Sequence, residues 1–256
     1  MAPAHGALGK LLVFLPGINY RASQESAFLQ TAVAEGYHTI GLAYPNSRGA
    51  NFYCKKSKDL DCHGDVRREI VFGENSTSLF ALPAQNAIVP RLVAELQDLS
   101  NSPGDGGWGT FLTGDQPAWD RIAVAGHSQG SGNAAILGID RDVARVILLA
   151  GPNDLPRGTD APPRWVTSVG AKTPADRWFG LTHGMDDEFF IQEQVWDLFD
   201  LPGDNVVDDV PTGGHRSITT LKTGDPHLSV VVDDELVGGT ANPKLRPSWK
   251  HLLSAP

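Results

Sequence analysis

The sequence predicts an α/β architecture, a mostly parallel sheet flanked by helices on both faces. Two observations predict it. Short apolar runs rich in Val, Ile and Leu alternate along the chain with amphipathic stretches of helical length. In addition, the pentapeptide Gly126-His127-Ser128-Gln129-Gly130 stands between one such run and a segment of small residues suited to a helix packed close on a sheet. A G-x-S-x-G sequence carries meaning only in that strand–turn–helix setting, where the turn lifts the serine hydroxyl above the sheet edge.

The elements follow in order. Leu11 to Leu15 is a continuous apolar run ended by Pro16-Gly17, the pattern of a strand buried on both faces. Ser23 can cap a helix to about Glu35, with Phe28, Leu29, Ala32 and Val33 on one side and Gly36 as the stop. Residues 39–44 form a second strand before Pro45, and the polar stretch from Asn46 to Phe80 reads as an irregular insertion. Ile88, Val89, Leu92, Val93, Leu96 and Leu99 fall at helical spacing, which predicts a helix from about Leu82 to Asp98. A Gly/Pro/Asp-rich loop then leads to the strand Arg121–Ala125 and the pentapeptide. Strands follow at 143–150, 178–182 and 205–210, and helices at 189–199 and 247–254; a second, Pro-rich insertion spans 151–176. No boundary splits the 256 residues, so they read as one domain.

Composition narrows the function classes. The formal net charge of −9 argues against nucleic acid and anionic membrane surfaces as partners. No apolar run approaches the roughly 18–20 residues of a transmembrane helix. Met1 to Lys10 shows neither the basic nor the apolar region of a signal peptide. The two cysteines, Cys54 and Cys62, flank a short polar loop that a disulfide could close. That bond would place the protein in an oxidising compartment, secreted or periplasmic; free thiols would place it in the cytoplasm.

The chemistry follows from Ser128. A serine hydroxyl is a weak nucleophile and needs a base within reach and an acid to orient that base. In a strand–elbow–helix arrangement both partners follow the serine, acid first and histidine last. The segment after the 178–182 strand, His183-Gly184-Met185-Asp186-Asp187-Glu188, supplies the acid. Gly213-Gly214-His215, after the 205–210 strand, supplies the base, with His227 in Asp225-Pro226-His227 as its rival.

These residues together resemble the α/β-hydrolase superfamily of serine esterases and lipases. The likeness rests on Phe14-Leu15-Pro16-Gly17-Ile18, the Gly126–Gly130 elbow, the His183-Gly184-x-x-Asp187 turn and the late Gly-Gly-His, which span residues 11 to 216. The Pro-Gly loop is similar to the polyester-hydrolase and dienelactone-hydrolase branches. The resemblance implies a Ser128, Asp187, His215 triad with Asp186 and His227 as alternates. It also implies an oxyanion hole from the backbone amides of Ile18 and Gln129. The expected reaction is hydrolysis of a carboxylic ester, small or polymeric, without metal or cofactor. The same machinery would serve an amide, thioester or lactone, and a chain of this fold can also be a binding protein without catalysis.

Other features read as structural. His127 is expected to line the site wall or pack the elbow and His183 to be hydrogen-bonded at a strand end, and Trp165, Trp178 and Trp196 are expected in the core, Trp165 near a substrate wall. Asp208-Asp209 and Asp233-Asp234-Glu235 lack the ligand spacing of a calcium loop. A nucleotide-binding dehydrogenase is excluded, because Pro16-Gly17-Ile18-Asn19-Tyr20 stands where G-x-G-x-x-G would be needed.

Overall fold

A computed structural model describes residues 1–104, 106–154, 161–167, 170–232 and 244–254. Its centre is a seven-stranded sheet in the order β2 (His38–Gly41), β1 (Leu11–Leu15), β5 (Ile122–His127), β6 (Arg145–Leu149), β7 (Trp178–His183), β9 (Arg216–Thr219), β8 (Asn205–Val207). Every pairing in it is parallel. Around it stand α1 (Ser26–Ala34), α2 (Ala50–Cys54), α3 (Cys62–Phe72), α4 (Ile88–Asn101), α5 (Gln129–Asp140), α6 (Arg164–Thr167), α7 (Phe189–Leu198), α8 (Pro226–Ser229) and α9 (Arg246–Ser254). Strands β3 (Leu112–Thr113) and β4 (Gln116–Pro117) make a separate hairpin inside the Gly/Pro-rich loop.

Strand periodicity builds two cores from one sheet. Leu11, Val13 and Leu15 of β1 face one side with Ile122, Val124, Val146 and Leu148, and meet Ile70, Leu92, Leu96 and Ile136 of α3, α4 and α5. Leu12 and Phe14 point the other way with Ala123, Ala125, Ile147 and Leu149, and meet Phe28 of α1 and Trp249 of α9. A strand whose every residue is buried needs helices on both faces, which its uninterrupted apolar run foretells. This sheet, with the strand–elbow–helix unit of β5, Ser128 and α5 at its centre, is the parallel sheet flanked by helices on both faces that the sequence predicts.

Two departures from the sequence expectation bear on the site. The stretch after Asn46, expected to be irregular, holds α2 and α3, joined by the Cys54–Cys62 disulfide. Helix α3 is hidden in the sequence because His63, Arg67 and Glu69 share its buried face with Val66 and Ile70, which blurs the apolar period. A seventh strand, β9, has no counterpart in the sequence pattern. It has one aliphatic residue, Ile218, and its Ser217 and Thr219 are buried polar side chains. The first residue before that strand is His215, and this placement bears directly on the site.

Candidate active site

In a parallel sheet all C-terminal strand ends lie at one edge, and loops leaving that edge can converge. Ser128 leaves it after β5 with φ 54° and ψ −117°, a conformation that non-glycine residues rarely adopt and that costs about 1–3 kcal/mol. Close packing holds it there. A side chain at Gly130 would collide with the carbonyl oxygen of Leu15, and one at Gly126 with the carbonyl of Gly130, so β1, β5 and the start of α5 meet backbone to backbone. The Ser128 amide donates to the Leu149 carbonyl at 2.9 Å, and the Ser131 hydroxyl to the Ser128 carbonyl at 2.7 Å. Gln129 opens α5, where the first amides of a helix have no carbonyl partner within it.

The loop after β1 is tied down from several directions. The Tyr44 hydroxyl donates to the Pro16 carbonyl at 2.7 Å, and the Asn46 amide donates to the carbonyls of Gly17 and Tyr20 at 2.7 and 2.8 Å. Ile18 projects from this loop into the same cleft as Ser128. The cleft measures about 510 Å³.

From the end of β7, a turn closed by Asp186 N–H on the His183 carbonyl (2.9 Å) carries Asp186 back over the sheet edge. Its carboxylate accepts from Glu188 N–H at 3.0 Å, from Gln192 Nε2 at 2.9 Å and from His227 Nδ1–H at 2.7 Å. Asp187 points outward and is exposed at the lip of the cleft. His227 sits in the one-turn helix α8, capped by Asp225, whose carboxylate accepts from Leu228 N–H at 3.0 Å. An imidazole whose Nδ1–H is committed to a carboxylate presents Nε2 as a proton acceptor.

The electrostatics agree with that geometry. Burial raises the Asp186 pKa, but the hydrogen bond and charge of His227, with the Glu188 amide and Gln192, outweigh it and hold the carboxyl below its ordinary value. Burial works against the charged form of His227, yet the hydrogen bond and charge of Asp186, joined by Glu188 and Asp225, hold its pKa above the ordinary histidine value. Glu188, close by, is pushed up by burial, and the charges of Asp186 and Asp154 add to that.

His215 is placed elsewhere. It precedes β9, so in a parallel sheet it belongs to the N-terminal edge, opposite the one that carries Ser128. Its Nδ1–H donates to the Trp178 carbonyl at 2.8 Å, and its ring stacks on Phe179 with centroids 4.1 Å apart. Burial lowers its pKa. The structure therefore brings Ser128, Gln129, Ile18, Asp186, Asp187 and His227 to one cleft and sets His215 apart from it.

Several cleft residues carried no recognisable sequence signal. Arg67 of α3 is buried beneath the cleft and pairs with Asp154 through Nε and Nη2, both at 2.6 Å. It also donates to the Gln129 carbonyl at 3.0 Å and to Asn133 Oδ1 at 3.1 Å. Trp165 donates to the same Asp154 at 3.0 Å, which explains its place beside the site. Asp154 is buried, which alone would raise its pKa; the charge and hydrogen bonds of Arg67 prevail and hold it low. Asn51 bridges His63 Nε2 (2.9 Å) and the Asn153 carbonyl (2.8 Å). The only hint in the sequence was the length of the connection that holds Asn51 and Arg67.

Among the described residues no group of three or more His, Cys, Asp and Glu could hold a metal ion. Asp208 instead accepts from the Thr219 hydroxyl (3.0 Å) and from Thr220 N–H (2.7 Å), closing a loop, while Asp233-Asp234-Glu235 lie outside the described residues. His183 accepts from Met185 N–H and donates to the Leu221 carbonyl, the structural part expected of it. No helix of the described residues is long and apolar enough to cross a membrane.

No protein-family model matches the chain, and no curated protein matches it. Among solved structures it is similar to esterase PE8, at 18% identity and a TM-score of 0.47, covering 89% of this chain and 88% of that one. It is also similar to 2,6-dihydroxy-pseudo-oxynicotine hydrolase, at 13% identity and a TM-score of 0.43, covering 93% of this chain and 65% of that one.

Proposed function

We propose that the protein hydrolyses carboxylic esters through an acyl-enzyme on Ser128, with His227 as the base and Asp186 as the carboxylate that orients it. The single observation that carries this reading is the 2.7 Å bond from His227 Nδ1 to an Asp186 whose oxygens are otherwise occupied, on the same cleft as the strained Ser128. His227 Nε2 takes the serine proton as Oγ attacks the ester carbonyl. The amides of Gln129 and Ile18 then face the developing oxyanion, and His227 returns the proton to the leaving alcohol. Water enters by the same base and releases the acid. Asp187 and His215, the first choices of the sequence, take no part in this scheme.

The walls favour a short or polar substrate. Apolar side chains reach the cleft from Ile18, Met185 and Pro226, while most of the other residues that line it carry a carboxylate, amide or guanidinium group. A long alkyl chain would leave those polar groups without water.

Hydrolysis of p-nitrophenyl esters from acetate to palmitate tests the proposal. Expected are a preference for short chains and loss of activity in Ser128→Ala. Asp186→Asn and His227→Ala should each lower kcat by about 10³–10⁴-fold, the range such triads show. Asp187→Asn and His215→Ala should keep most of it. Near-normal rates in Ser128→Ala would overturn the reading. If wild type leaves every ester intact but is labelled on Ser128 by a fluorophosphonate, the activated serine serves an amide, thioester or lactone instead; no labelling would mean a binding protein.

A further inference from the structure

Next to the proposed triad lies a second carboxylate–imidazole pair that the scheme above does not use. Glu25, at the start of α1, is completely buried, and so, to within 1% exposure, is His127. His127 Nδ1 lies 2.5 Å from Glu25 Oε1, and His127 Nε2 lies 2.9 Å from the backbone carbonyl of His227. The two imidazole rings are 5.0 Å apart, centre to centre. Burying an ionisable pair is costly unless its hydrogen bonds are satisfied, so such a pair calls for a reason.

The proton count is fixed by the partners. A carbonyl oxygen only accepts, so His127 Nε2 must carry a hydrogen. One further proton then lies between Nδ1 and Glu25 Oε1; without it, two lone pairs would face each other at 2.5 Å. Whether that proton sits on nitrogen or oxygen, the pair is neutral overall and the Nε2–H still points at the His227 carbonyl. Glu25 also reaches the loop after β1, where its two oxygens accept from Gly17 N–H at 3.3 and 3.4 Å, directly before Ile18.

The carbonyl thus held needs a partner. Helix α8 has a single turn, and the Val231 amide, which would reach the His227 carbonyl in a longer helix, bonds instead to Leu228. The His227 carbonyl is one of the orphans a helix end leaves, and the residue adjacent to Ser128 supplies its donor. We infer that Glu25 and His127 are positioning residues: through one shared proton they fix the backbone of His227 relative to Ser128 and brace the Gly17–Ile18 amides opposite. This inference rests on the ester-hydrolase reading, because the pair has something to position only if His227 is the base.

The test is turnover per active serine, with wild type and variants first titrated by a fluorophosphonate so that misfolded protein drops out of the count. Asparagine at 127 places its amide where Nδ1 stood, keeping Glu25 but losing the donor to His227. Glutamine at 127 places its amide where Nε2 stood and keeps that donor. His127→Asn is expected to lose about 10- to 100-fold in kcat per titrated serine, the size of effect a small misplacement of the reacting groups produces, with little change in KM. His127→Gln should recover most of it. Glu25→Gln can donate to a neutral His127 Nδ1 and accept from Gly17 N–H, and should stay near wild type, whereas Glu25→Ala should behave as His127→Asn does. A merely structural pair would lower the titratable fraction and Tm while leaving turnover per serine alone. Equal turnover in His127→Asn and His127→Gln, high or low, would overturn the positioning role while leaving the ester reading intact. A wild type that neither cleaves esters nor takes the label would remove both.

Discussion

At the scale of single residues, the contacts of two histidines set their electrostatics apart. His215 is surrounded by a carbonyl and an aromatic ring, and burial pulls its pKa down. His227 faces a carboxylate, and although burial opposes it, Asp186 holds its pKa up. A base acts in its neutral form, so ester hydrolysis should fail on the acid side with a midpoint above the ordinary histidine value of 6.5. The stability linkage runs in the opposite direction. The gain from pairing His227⁺ with Asp186 is fully present below 6.5 and is lost as pH rises through the raised value. NMR titration of the His227 ring should therefore give a midpoint above 6.5 in wild type and a lower one in Asp186→Asn, where only burial and the weaker charges of Glu188 and Asp225 remain. A wild-type midpoint at or below 6.5 would contradict this account of the pair.

At the scale of elements, the insertion after β2 acts as a wall for the cleft. Helix α2 gives Asn51 and, through the Ala50 amide, holds the Gln129 side chain at 3.3 Å; α3 gives Arg67. The Cys54–Cys62 disulfide closes the short turn between them. In the loop-entropy view a ring of this size stabilises by about 2–3 kcal/mol, so reduction should lower Tm by about 5–10 °C for a chain of this length. Because the wall also carries the partner of the Gln129 side chain, ester turnover in the reduced protein should fall at temperatures well below the new Tm. Calorimetry and activity with and without reductant check both. A Tm unmoved by complete reduction would mean that core packing and the hydrogen bonds of Asn51 and Arg67 hold α2 and α3 without the covalent link.

At the scale of the whole molecule, one sheet separates two cores of different character. The α3–α5 side carries the buried polar network beneath the cleft, whereas the α1–α9 side is built mainly from apolar and aromatic side chains around Phe14, Phe28 and Trp249. Trp249 is fully buried, its ring packs edge-on against Phe28 at 6.3 Å, and its Nε1–H donates to the Val230 carbonyl at 2.8 Å. Removing it should cost about 3–5 kcal/mol, the usual range for a large buried aromatic side chain. The measurement is denaturant unfolding of Trp249→Ala, and a cost under about 1 kcal/mol would mean that α9 contributes little to the sheet's second face. Val230 leads back to α8, so this core also anchors the chain that carries His227.

Features that depend on near neighbours along the chain were legible in the amino acids. The alternation of apolar runs and helical stretches specified six of the seven strands and the fold class; in the central strands β1, β5 and β6, burial on both faces leaves a run of apolar residues. Gly126 and Gly130 around Ser128 announced the elbow, since only residues without a side chain fit there. Two cysteines eight apart allowed one disulfide. Which of Asp186 and Asp187 meets an imidazole, and which of His227 and His215 lines the cleft of Ser128, waited for the folded chain. Neighbouring aspartates leave a turn in different directions, and the hydrogen bonds of that turn, to His183 and to Gln192, choose which one looks inward. His215 follows a strand in sequence but precedes another, β9, whose polar residues concealed it, so its edge of the sheet could not be read from spacing. The pairings of Arg67 with Asp154 and of Glu25 with His127 were hidden for the same physical reason. Each of these charges is tolerated inside because of a partner 87 to 102 residues away, and no local pattern records a partner at that distance.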